Sequence, residues 1–142
     1  MLPDDPSQLK SKANDRDCIL IAEDEADLRE FLADEFQLLG YRVLQAGSGA
    51  AAQALLATER IDVVLSDIRM PGGGGIELLE WLNAQEGEKP GVFFMTGYSD
   101  LTEDQVRASG AKGMFHKPFR ITEILATVAV QIRSARSARS SV

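Results

Sequence analysis

Four short runs in this chain are mostly apolar, and each stops at polar residues. Cys18-Ile19-Leu20-Ile21-Ala22 gives way to Glu23-Asp24-Glu25, and Ile61-Asp62-Val63-Val64-Leu65-Ser66 gives way to Asp67. Gly91-Val92-Phe93-Phe94-Met95 ends at Thr96, and Lys112-Gly113-Met114-Phe115-His116 ends at Lys117-Pro118. A short run with little alternation predicts a strand buried on both faces, as in a parallel sheet. Tyr41 to Ala46 alternates more and predicts one further strand.

The stretches between these runs have helical spacing. Leu28, Phe31, Leu32, Phe36 and Leu39 form one apolar stripe, closed by Gly40 as a C-cap. Ser48 is placed to cap an Ala-rich helix from Ala50 to Thr58. A third helix, Ile76 to Gln85, carries Leu78, Leu79 and Leu82 on one face, with Trp81 at its edge. Ser99 or Asp100 is expected to cap a short helix ending near Ser109. The last helix is expected from about Thr122 to Arg133, with Ile124, Leu125, Val128 and Ile132 inward.

Strand and helix thus alternate five times. That pattern predicts an α/β fold: a (βα)5 doubly wound, five-stranded parallel sheet with helices on both faces. Right-handed crossovers leave few topologies, of which the flavodoxin-like order 2-1-3-4-5 leads.

A chain of 142 residues fits one domain, with residues 18–133 as its folded part, 1–17 as a mobile polar leader and 134–142 as a basic Arg-Ser-Ala tail, read as a frayed helix end or else as a basic arm for a partner. The net charge of -7 argues against nucleic acid as a partner, since phosphate backbones are bound by clustered Lys and Arg. One cysteine, Cys18, allows no internal disulfide and reads as a small apolar core residue. No apolar run is long enough for a membrane span, and the leader lacks a signal-peptide core, so the cytoplasm is the expected location.

The chemistry is expected at the carboxyl ends of the strands, where such sheets bind ligands. With strands one and three adjacent, Glu23, Asp24 and Asp67 converge, with the Thr96 hydroxyl and the Lys117 ammonium beside them. Three carboxylates repel one another and need compensation. Mg²⁺ suits them, because it takes one or two carboxylates plus water and phosphate oxygens. Lys117 supplies a fixed positive charge. Such parts suit phosphoryl transfer, with an Asp carboxylate as nucleophile.

The segments Leu20-Ile21-Ala22-Glu23-Asp24-Glu25, Leu65-Ser66-Asp67-Ile68-Arg69-Met70-Pro71-Gly72, Met95-Thr96-Gly97 and Phe115-His116-Lys117-Pro118-Phe119 resemble the signatures of response-regulator receiver domains. They come in the family's order, and the resemblance covers about residues 18–133. It implies a two-component switch rather than an enzyme. Asp67 then corresponds to the phosphoacceptor. Asp24 corresponds to a direct Mg²⁺ ligand, and Glu23 to the acidic neighbour that acts through metal-bound water. Asp67 and the Arg69 backbone carbonyl complete the metal site. Thr96 corresponds to the hydroxyl, and Lys117 to the ammonium, that meet the phosphoryl group. The Lys117-Pro118 bond is expected to be cis. The implied donor is a phosphohistidine on a sensor kinase or a histidine phosphotransfer protein. The implied output is a downstream protein docking on residues 100–133, with a phosphorylation-dependent dimer as a further expectation.

Two departures from the family pattern stand out. Met114 occupies the place of the usual aromatic switch residue, with Phe115 expected in the core. Gly72 to Gly75 replace a larger apolar and polar pair, which predicts a mobile loop. Large residues at Arg69 and Tyr98 predict a long-lived acyl phosphate. Only 25 residues follow Lys117, so a stand-alone switch acting by protein contact is expected. A phosphatase or mutase would need a second Asp at position 69, and a flavin carrier would need a Ser/Thr-rich phosphate loop where Glu23-Asp24-Glu25 stand. The remaining alternative is a receiver-like binding module that works without phosphorylation.

Overall fold

A computed structural model describes residues 16–97 and 101–140 of the chain. Five strands, β1 (Cys18–Ala22), β2 (Arg42–Ala46), β3 (Val63–Asp67), β4 (Gly91–Thr96) and β5 (Gly113–His116), alternate with five helices. The helices are α1 (Ala26–Leu38), α2 (Gly49–Thr58), α3 (Gly75–Asn83), α4 (Glu103–Ala108) and α5 (Ile121–Ser140). All strand pairings are parallel, and the order across the sheet is β2-β1-β3-β4-β5. The expected doubly wound sheet and its strand order are therefore present.

The mostly apolar runs become strands because both their faces are covered. Every residue of β1, β3 and β4 is buried, whereas the more alternating β2 lies at an edge and is mostly half-buried. The sheet separates two cores. On one side Leu20, Val64, Phe94 and Met114 pack with Ala52, Leu78, Leu82 and Val106. On the other, Ile21, Leu65, Met95 and Phe115 pack with Leu32, Phe36, Ile124 and Val128. Met114 and Phe115 thus face opposite layers, as the strand period requires. In α1 the buried stripe is Leu32, Ala33 and Phe36, and the expected Phe31 and Leu39 are 45% and 59% exposed.

Caps set the helix ends. Ser48 accepts a hydrogen bond from the Ala51 N–H at 3.1 Å, and Gly40 closes α1 with a φ of +93°. The start of α4 differs from expectation. Thr102 is its N-cap, accepting from the Gln105 N–H at 3.1 Å while the Gln105 side chain accepts from the Thr102 N–H at 2.8 Å. Ser99 and Asp100, the expected caps, lie outside the described residues, as does Tyr98. The last helix also differs, running to Ser140 rather than ending at Arg133. Ala135 keeps the inward face small and half-buried, and Arg136 pairs with Asp17 just before β1.

Trp81 is half-buried on α3 and lines an open cavity of about 740 Å³ with Asp62, Gly91 and Lys112. Those neighbours mark the amino ends of β3 to β5. The indole therefore sits at the opposite end of the sheet from Asp67 and Thr96.

Candidate functional site

The parallel register places the strand ends side by side. Ala22 pairs with Ser66 and Asp67 with Met95, so β1, β3 and β4 release their chains at one level. Thr96 pairs with His116, which sets Lys117 just beyond the end of β5. The Lys117 N–H donates to the Thr96 carbonyl at 2.7 Å and extends that pairing by one residue. The Lys117–Pro118 peptide bond is cis.

Glu23, Asp24 and Asp67 each offer a carboxylate oxygen, and the three oxygens lie within 4.8 Å of one another. Glu23 is fully buried, Asp67 is 8% exposed and Asp24 is open to solvent. The Lys117 ammonium reaches into the cluster from β5. It donates to Asp67 Oδ2 at 3.0 Å and to Glu23 Oε2 at 3.2 Å. The Thr96 side chain is buried at the end of the adjacent β4. Arg69 lies exposed on the loop after β3.

The electrostatics follow from this crowding. Burial, then the hydrogen bond and charge of Asp67, push the Glu23 carboxyl from 4.5 up to about 7, although Lys117 pulls the other way. For Lys117, burial alone would lower the ammonium's pKa. The hydrogen bond and charge of Asp67, followed by those of Glu23, outweigh burial and raise it. One ammonium thus leaves the three carboxylates under-compensated, and a hard divalent cation with oxygen ligands fits the donor set.

The glycine loop also has a geometric reason. Gly72 and Gly73 have φ of +70° and +100°, which other residues rarely adopt. A Cβ on Gly74 would lie 2.2 Å from the Ile68 carbonyl oxygen, and one on Gly75 would lie 2.6 Å from that of Asp67. The second half of the loop, Gly74 and Gly75, is packed directly against the backbone of Ile68 and Asp67, which leaves no room for side chains there.

Arg29 is a site neighbour that sequence reasoning missed. Its Nη1 donates to the main-chain carbonyl of Glu23 at 2.8 Å. Its position on α1, six residues past Glu23, was the available signal.

The family described as the response regulator receiver domain matches residues 19–129. The chain belongs to that family. Among curated relatives, this receiver domain is 38% identical over 109 residues to sporulation initiation phosphotransferase F of Bacillus subtilis, covering 75% of this chain and 86% of that protein. It is 36% identical over 121 residues to regulatory protein AtoC of Escherichia coli, covering 83% of this chain but only 26% of that one. Among solved structures, TrrA of Thermotoga maritima in complex with Mg(2+)-BeF aligns with a TM-score of 0.72 and 28% identity. That alignment covers 81% of this chain and 98% of the solved chain. The receiver domain of Francisella response regulator 1452 aligns with a TM-score of 0.76 and 28% identity, covering 84% and 98% of the two chains. No helix among the described residues is long and apolar enough to cross a membrane.

Proposed function

We propose that this receiver domain takes a phosphoryl group from a phosphohistidine onto Asp67 with the help of Mg²⁺, and that the modified domain acts by protein contact. The observation that carries this reading is the Asp67 carboxylate held beside two further carboxylates and bridged to Lys117 at the carboxyl ends of the strands. Asp67 Oδ forms the new P–O bond as the P–N bond to the donor imidazole breaks. Mg²⁺, when bound, neutralises charge on the phosphoryl oxygens and lowers the barrier to that attack. Asp24, Asp67 and the Arg69 backbone carbonyl would hold it, with Glu23 acting through a metal-bound water. Lys117, which donates to Asp67 at 3.0 Å, meets the incoming phosphoryl group, which the buried Thr96 hydroxyl joins.

The output face in this reading is α4, β5 and α5, in which Val106, Met114 and Phe115 lie buried beneath the exposed residues. Its occupant is a downstream protein or a second phosphorylated copy. Met114 keeps the alternative of a binding module without phosphorylation in view. It is a flexible thioether, not a ring, packed against Val106 at the level of Phe94.

Intact-protein mass spectrometry after incubation with acetyl phosphate and Mg²⁺ tests the proposal. A single phosphoryl mass gain is expected, lost in Asp67→Asn and lost with EDTA. No gain, together with no beryllofluoride binding, would leave a domain that works by binding alone.

A further inference from the structure

β1 ends at Ala22, and the Glu23 N–H closes its ladder by donating to the Ala46 carbonyl at 3.0 Å. Helix α1 begins its own bonding at Glu25, whose carbonyl accepts from the Arg29 N–H at 3.0 Å. The peptide joining Glu23 to Asp24 falls between the two elements. Glu25, the N-cap of α1, makes no side-chain cap hydrogen bond that would fix it. The Glu23 carbonyl of that peptide is held instead by the Arg29 guanidinium at 2.8 Å.

The guanidinium has a prepared place. A Cβ on Gly47 would lie 3.1 Å from Arg29 Nη1 and 3.8 Å from Cζ, so the group lies against the turn after β2 where a side chain would otherwise project. Arg29 is half-buried there despite its charge. Asp24 is exposed, so the direction of its carboxylate depends on how its backbone is held.

We propose that Arg29 is a positioning residue for the metal site. It acts through the Glu23 carbonyl, holding the Glu23–Asp24 peptide so that the Asp24 carboxylate closes on Glu23 and Asp67. The inference rests on the reading of Asp24 as a Mg²⁺ ligand. Its sign separates it from two simpler roles. If Arg29 acted only by its charge, its removal would strengthen cation binding at an acidic cluster. If it were only a staple of the fold, its removal would lower stability and leave Mg²⁺ affinity unchanged. Positioning predicts weaker Mg²⁺ binding.

The test is a Mg²⁺ titration of the full chain followed by amide NMR shifts near Asp67, for wild type, Arg29→Ala and Arg29→Lys, beside urea unfolding of each in EDTA. Loss of an outer contact to a metal ligand typically weakens binding about tenfold, which is the effect expected for Arg29→Ala. Arg29→Lys keeps a donor on a flexible stem and is expected to recover most of the affinity. An unchanged or tighter Mg²⁺ dissociation constant in Arg29→Ala would overturn the proposal, whatever its stability. Failure of the wild type to take up Mg²⁺ would overturn the reading of the site itself, and the role of Arg29 with it.

Discussion

Replacing Glu23 by Gln keeps the shape of a fully buried side chain and removes its titration. In the metal-free protein the Glu23 carboxyl is pushed from 4.5 up to about 7, by burial first and then by the hydrogen bond and charge of Asp67. Its folded pKa lies above its unfolded one. Between those values the folded protein binds a proton that the unfolded chain has released, so stability falls as pH rises through that window. The rise from 4.5 to about 7 corresponds to roughly 3 kcal/mol, accumulated between about pH 4 and pH 8. Glu23→Gln lacks this loss. Its stability advantage over the wild type should grow with pH by about 2–3 kcal/mol across that range, read by urea unfolding in EDTA. If Mg²⁺ occupies the proposed site, saturating metal should shift the balance towards the wild type at pH 8, because it would stabilise the folded form that holds the ionised cluster. Parallel pH curves for the two proteins in EDTA would refute the account of Glu23 as a buried, under-compensated carboxylate.

Gly75→Ala sets two effects against each other. The helix start would gain about 1 kcal/mol from Ala, but the new Cβ would meet the Asp67 carbonyl oxygen at 2.6 Å and the Phe94 ring at 2.9 Å. Backbone cannot yield cheaply, so a net loss of about 1–2 kcal/mol is expected. Gly40→Ala is the control: it meets nothing within 4 Å and should cost about 1 kcal/mol through its left-handed φ alone, with phosphorylation unchanged. A Gly75→Ala protein as stable as wild type in urea would count against the tight loop. Thr102→Ala removes half of a capping box and should cost about 0.5–2 kcal/mol. Hydrogen exchange should then quicken at Glu103 to Ala108, and unchanged protection there would show that the cap is idle.

The strands were legible because burial on both faces leaves little room for polar residues until the chain leaves the sheet. The site was legible for the same reason: Glu23, Asp67, Thr96 and Lys117 are the first polar residues past those runs. Three features were not. The start of α4 has several residues able to cap, and the choice of Thr102 depended on Gln105 three positions on, a signal that was present but outweighed by the turn-like Ser99-Asp100. The Arg-Ser-Ala repeat lacks a broad apolar stripe, so its pattern supports only a frayed helix end past Arg133. Its extension follows from helix-forming Ala and Arg and from the long-range Arg136–Asp17 pair. The glycines at 72–75 read locally as entropy, whereas Gly72 and Gly73 take positive φ and Gly74 and Gly75 lie against the carbonyls of Ile68 and Asp67, whose proximity no local pattern shows.

Helix α5 starts four residues after Lys117 and spans 20 residues, which at 1.5 Å per residue is about 30 Å. One end follows Lys117 of the carboxylate cluster by four residues, and Arg136 near the other pairs with Asp17 at the amino end of β1. That geometry is a lever with its short arm at the chemistry. A tilt of about 5° at the root carries the last turn through roughly 3 Å, several times an ordinary thermal displacement. Any such tilt set near Lys117 would reach the opposite pole of the domain only if the packing of Ile124, Val128 and Ile132 moved with it.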